Sequence, residues 1–178
     1  MTLTIEASEQ LKIDYLLPAI EKKQIGSVVT LPMFLLMPDI AFGCRKQFLQ
    51  ICETASEEEL RLTAYWKSRE VFELGESYVK KRVTSYIKLL QSVRSKGIRV
   101  DSSMPRTYPI VFVHGSVYQR MDGAHRVSIY RFLNYSTVEV WLVTAGEVLA
   151  KLDLPADLRE ALEGEVFPCV YAHEYPQR

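Results

Sequence analysis

The sequence predicts an α+β fold: a small mixed sheet with helices, preceded by a mainly helical N-terminal extension. Two observations carry this expectation. Before about residue 100 the apolar residues recur mostly at helical spacing, whereas Tyr108 to Val113 and Val117 to Met121 read as two strands. After Ala124 the period changes again. Ile129, Phe132 and Leu133 fall at i, i+3 and i+4, so a helix follows directly on the second strand.

In chain order, residues 8–23 carry a helical pattern, with Ser8 as a cap and Pro18 as a bend or break. Ile25 to Leu31 is apolar and short enough for a strand. Pro38-Asp39 opens a helix reaching about Thr54, and Ser56-Glu57-Glu58-Glu59 has the form of a capping box for the next, which Gly75 ends. Glu76 to Lys96 forms a long helix closed by Gly97. Val79, Val83, Tyr86, Ile87, Leu90 and Val93 share one of its faces, amid Lys80, Lys81, Arg82, Lys88, Arg94 and Lys96. Gly115-Ser116 joins the two later strands as a two-residue turn, with Gly where type II′ needs it. We divide the chain into a helical extension over 1–60 and a domain over 61–178.

Composition narrows the function classes. The 178 residues carry 22 basic and 22 acidic side chains, so the formal net charge is zero and no broad nucleic-acid footprint is expected. The N-terminus has neither the basic start nor the apolar core of a leader, and Val28 to Met37 is too short to span a bilayer. A cytoplasmic protein is expected. Cys44, Cys52 and Cys169 show no C-x-x-C pair and read as buried thiols. His114, expected to be exposed at the hairpin turn, and His173 lack zinc spacing; no phosphate loop or nucleophile elbow is present.

Chemistry concentrates in Asp122-Gly123-Ala124-His125-Arg126, between strand and helix. A helix start presents unpaired N–H groups and the positive dipole end, and so attracts an anion such as phosphate. Arg126 adds a permanent forked charge; its charge-assisted hydrogen bond is worth about 1.5–3 kcal/mol, against about 0.3–1 for the dipole. His125 has the residue type that exchanges a proton near neutral pH. Asp122 can cap the helix, hold a metal ion or orient a hydroxyl. The residues alone leave open whether this is a phosphate site or simply a capped turn after a hairpin.

The ordered set of strand, D-G-x-H-R, helix, Asn134-Tyr135 and strand resembles the ParB/sulfiredoxin superfamily over about residues 78–143. Tyr86 to Ile98 is similar to that family's helix before the hairpin, Pro109 to Val113 to its P-I-x-V strand, and Thr137 to Val143 to its closing strand. The resemblance implies that Gly123, Ala124, His125 and Arg126, with Arg120 nearby, hold nucleotide phosphate. Sulfiredoxins carry a catalytic Cys before the His-Arg pair; Ala124 stands there, so sulfinic acid reduction is not expected. Chromosome-partitioning ParB proteins carry a DNA reader after this domain, for which the roughly 35 residues after Val143 are too few.

The branch that fits best holds small-molecule kinases, including free serine kinases. Similar proteins of surface-polysaccharide clusters have an upstream stretch like Thr63-Ala64-Tyr65-Trp66 followed by a Gly. The resemblance then implies ATP or another nucleotide, Mg²⁺ at Asp122, and a small hydroxyl-bearing acceptor such as a sugar or amino acid. Asp122, His125 and an upstream glutamate would be catalytic. Glu70, Glu73 and Glu76 are candidates for the base, with Glu73 preferred for its place beside the Tyr65-to-Gly75 match. A non-catalytic nucleotide-binding module, a ParB-like nucleic-acid-binding or nuclease protein, and homo-oligomerisation stay open.

Overall fold

The computed structural model describes residues 10–36, 41–72, 75–101 and 103–164. Ser8, the Pro38-Asp39 helix start, Glu73, Cys169 and His173 fall outside them. The chain is α+β. A π-helical turn, Leu11–Leu16, runs into α1 (Leu17–Glu21), with Pro18 in its first turn. A proline there lacks only an N–H that the helix does not use, so the expected break appears as a change of helix type. Then come β1 (Ser27–Pro32), a 3-10 turn (Met33–Leu36), α2 (Phe42–Ile51), α3 (Glu57–Arg61), α4 (Ala64–Phe72) and α5 (Glu76–Lys96). A 3-10 turn, Pro105–Thr107, leads to β2 (Ile110–His114), β3 (Val117–Arg120), α6 (Ala124–Phe132), β4 (Thr137–Thr144), α7 (Ala145–Lys151) and α8 (Ala156–Glu163).

The four strands form one sheet in the order β1-β4-β2-β3. β4 pairs antiparallel with β1 and parallel with β2, while β2 and β3 form the expected antiparallel hairpin. At its tip only Gly115 takes positive φ (58°), as a type II′ turn requires. The segment 1–60 therefore contributes a strand to the same sheet as the rest of the chain.

Alternation along the strands splits the core into two layers, because successive side chains point to opposite faces. Val111, Val138 and Val140 pack with Phe48, Tyr65, Trp66, Tyr86, Leu90 and Ile129 beneath α2, α4, α5 and α6. Ile110, Phe112, Trp141 and Val143 pack on the other side with Leu11, Ile20, Val148 and Leu158.

The capping box forms as expected. Ser56 N–H donates to Glu59 Oε2 at 2.7 Å, and Glu59 N–H donates to Ser56 Oγ at 3.3 Å. The helix it starts is short, however. Thr63 interrupts the segment: its hydroxyl donates to Leu60 O at 2.6 Å and accepts from Trp66 N–H at 3.2 Å, which restarts the chain as α4. Gly75, expected to close a helix, instead stands at the N-terminal boundary of α5 with φ 102°. Gly97 closes α5 as expected, and all of the expected apolar face is buried except Ile87, which is half-buried. His114 is half-buried, not exposed: its Nε2 lies 2.8 Å from the Leu162 carbonyl oxygen. Ser56→Ala should lower unfolding free energy by about 1 kcal/mol. Urea denaturation measures this, and an unchanged midpoint would show the box to be energetically silent.

Candidate functional site

The hairpin's ladder delivers the Asp122-to-Arg126 segment. Beyond β3, Met121 N–H donates to Ile110 O at 2.7 Å and Ile110 N–H to Asp122 O at 3.3 Å, so pairing continues to the turn. Gly123 then takes φ 82°, and a Cβ on it would lie 2.7 Å from Pro109 Cα. Only glycine fits here, because both the left-handed backbone and the contact exclude a side chain. Pro109 is itself tied to the sheet, its carbonyl accepting Trp141 N–H at 2.9 Å.

Asp122 does not cap α6. Gly123 occupies the N-cap position and no side chain caps the helix. The Asp122 carboxylate is one residue too early; its Oδ1 turns back to accept Gly123 N–H at 2.6 Å. The first-turn amides of α6 thus lack the side-chain acceptor that the sequence suggested.

The five residues diverge in space. Asp122 is exposed, Gly123 buried, and Ala124, His125 and Arg126 half-buried. Arg126 Nη1 donates to the Arg106 carbonyl at 2.9 Å. His125 turns towards α4 and α5, where its Nε2 lies 2.7 Å from Tyr65 Oη. The imidazole meets Tyr65 edge-on (centroids 5.6 Å, 84°) and Tyr86 at 4.6 Å and 70°, and both tyrosines pack on Phe48.

Four arginines surround this imidazole electrostatically: Arg45 from α2, Arg69 from α4, Arg82 from α5 and Arg120 from β3. Arg45, only 1% exposed, reaches Ser128 Oγ at 3.4 Å, and Ser128 Oγ donates to Ala124 O at 2.8 Å, linking α2 to the first turn of α6. Arg120 is buried, opposite Val111 on the same face of the sheet. Arg69 lies over the Tyr65 ring, 5.7 Å from its centroid. Burial first, and these positive charges second, push His125 down to about 3. The expectation that it titrates near neutral pH is thereby corrected: it stays neutral there.

The other candidates lie elsewhere. Glu70 is exposed and accepts Trp66 Nε1–H at 3.0 Å. Glu76 is exposed and paired with Arg61 and Lys80. Among the described residues no group of three or more His, Cys, Asp or Glu side chains could hold a metal ion. The exposed carboxylate of Asp122 suits Mg²⁺ only as one ligand beside phosphate and water, the mode this small cation commonly uses.

Arg45 and Arg69 escaped the sequence reading because their role depends on contacts far apart in the chain. His125 carried a signal that could have been read: it precedes buried Ser128 and Ile129 by three and four residues, which sets it on α6's inner face. The chain matches no family model, no curated protein and no solved structure. No described helix is long and apolar enough to cross a membrane.

Between pH 6.5 and about 3 the unfolded chain binds a proton at His125 that the folded chain refuses, so acidification costs stability. The slope from this group is at most about 1.4 kcal/mol per pH unit, and His125→Asn should flatten that part of the stability–pH curve. Gly123→Ala should cost about 1–3 kcal/mol through backbone strain alone, with the Pro109 clash in addition. Thermal unfolding would detect it, and an unchanged midpoint would contradict the packing described.

Proposed function

We propose that the chain is a nucleotide-binding domain of the ParB/sulfiredoxin kind. In this reading it acts as a phosphotransferase towards a small hydroxyl-bearing metabolite, a sugar or an amino acid, in surface-polysaccharide synthesis. One observation carries the binding: arginines from three helices and β3 all act electrostatically on the imidazole at the amino end of α6. Guanidinium groups are permanently charged and match phosphate with forked donors, and the helix start adds amides of the same polarity. An ATP-dependent role fits the cytoplasm.

Within this reading Arg126 and the first-turn amides hold phosphate, and Arg120, Arg45 and Arg69 set the positive potential behind them. Mg²⁺, held by Asp122 and phosphate oxygens, would neutralise phosphate charge. Neutral His125 serves as a hydrogen-bonding group, not as a carrier of positive charge. The base that takes the acceptor's proton is assigned to Glu73 by resemblance alone. A second reading, binding without turnover, draws support from Asp122, whose carboxylate is already engaged by Gly123 N–H.

The test combines calorimetry with phosphorus NMR, using ATP, Mg²⁺ and a pool of sugars and amino acids. Arg126→Ala should weaken ATP binding by about tenfold or more, as expected for loss of a charge-assisted bond. Transfer that disappears with this variant supports the phosphotransferase. Binding without transfer supports the module, and absence of ATP binding to the unaltered chain overturns both.

A further inference from the structure

We infer that Tyr65 is a positioning residue: its hydroxyl donates to His125 Nε2 and so fixes the imidazole with its proton on Nδ1, adding a donor to the first turn of α6. The inference concerns the phosphate site proposed above, but its first test does not depend on any ligand.

The geometry is restrictive. Tyr65 is 0% exposed, and its Oη lies 2.7 Å from Nε2, a full hydrogen bond. The ring cannot swing away, because Phe48 at 4.6 Å and Tyr86 at 5.1 Å flank it. The imidazole is held between the same two tyrosines. A neutral imidazole has one N–H and one lone pair, and the hydrogen bond at one nitrogen decides which state the other takes.

Two arrangements satisfy the 2.7 Å contact. Either the phenol donates and Nδ1 carries hydrogen, or Nε2–H donates and Nδ1 presents a lone pair. The charges select the first. Arg69 lies over the Tyr65 ring, and a cation beside a phenol stabilises negative charge on its oxygen and makes the hydroxyl a stronger donor. Nδ1 is by covalent geometry the ring nitrogen nearer the backbone of the first turn of α6, whose amides have no side-chain cap. A lone pair there would repel an anion, whereas an N–H adds to the donors that attract one.

This role differs from proton transfer. It needs His125 neutral and immobile, and it makes Tyr65 act through another side chain. The Thr63-to-Trp66 stretch thereby gains a function its sequence did not disclose: the Thr63 cap starts α4 and sets Tyr65 in its first turn.

The experiment is a nitrogen–proton correlation spectrum of the three imidazoles in the full chain. His114→Asn and His173→Asn would assign the remaining His125 signals. The expected result is Nδ1–H in the unaltered chain and loss of this fixed form in Tyr65→Phe. Tyr86→Phe, which removes a neighbouring hydroxyl from a ring of equal size, should leave the form unchanged and controls for packing. ATP affinity should fall by about tenfold in Tyr65→Phe and hold in Tyr86→Phe. An Nε2–H imidazole in the unaltered chain, or a Tyr65→Phe spectrum identical to it, overturns the inference. If Nδ1–H responds to Tyr65→Phe while the unaltered chain binds no ATP, the positioning stands and the nucleotide reading fails.

Discussion

Parallel strands cannot be joined by a tight turn, and this one rule governs the site. β2 and β4 lie side by side and parallel, so the chain must travel back the length of the sheet between them. It does so with β3 and α6. The hairpin returns the chain to the start of β2, where Met121 and Asp122 still pair with Ile110, and α6 carries it onward to β4. The amino end of α6 is therefore fixed on both sides by the sheet. Gly123 seals the junction by resting on Pro109, whose carbonyl is bound by β4. A helix start anchored in this way has little freedom to shift against the sheet.

Rigidity at that point is matched by unusual charge. Lys and Arg are rarely buried, since removal from water costs several kcal/mol per ion unless other groups compensate. Here Arg45 and Arg120 are both buried, on the same layer of the core as His125. A core built only for stability would place apolar residues there, as it does at neighbouring Val111, Val127 and Ile129. Departures from the burial rule that converge on one turn are the kind that function imposes. Burial first, and these positive groups second, disfavour a charge on the imidazole.

Local features were legible in the sequence where a few adjacent residues decide the structure. Ser56 to Glu59, Gly97, Gly115-Ser116 and the periodicity of α5 each needed only short-range chemistry, and each formed. Pro18 and Thr63 show the limit of that approach. Whether a proline breaks a helix or starts one, and whether a threonine caps a new turn, depends on alignment within one residue. Asp122 failed as a cap for the same reason. The left-handed conformation that brings Gly123 onto Pro109 moves the helix boundary one residue on, and the contact with Pro109 is tertiary. Strand β1 was legible as a strand but not as the partner of β4, since register requires both faces of the sheet.

The site shows a deeper division. Its backbone half, a glycine turn opening a helix after a hairpin, is encoded in five consecutive residues and could be recognised from them. Its electrostatic half is assembled from Arg45, Tyr65, Arg69, Arg82 and Arg120, drawn from α2, α4, α5 and β3. Nothing in their own neighbourhoods ties these residues to His125: Arg82 belongs to a run of basic residues on α5, and Tyr65 to a stretch marked in the sequence by resemblance alone. Sequence reasoning assigned His125 a proton because free imidazole titrates near neutrality. Burial, and after it the surrounding arginines, remove that ability, and the tyrosines give the ring a fixed orientation instead. The same residue thus changes from a titrating group to a directed hydrogen bond through neighbours that only the fold supplies.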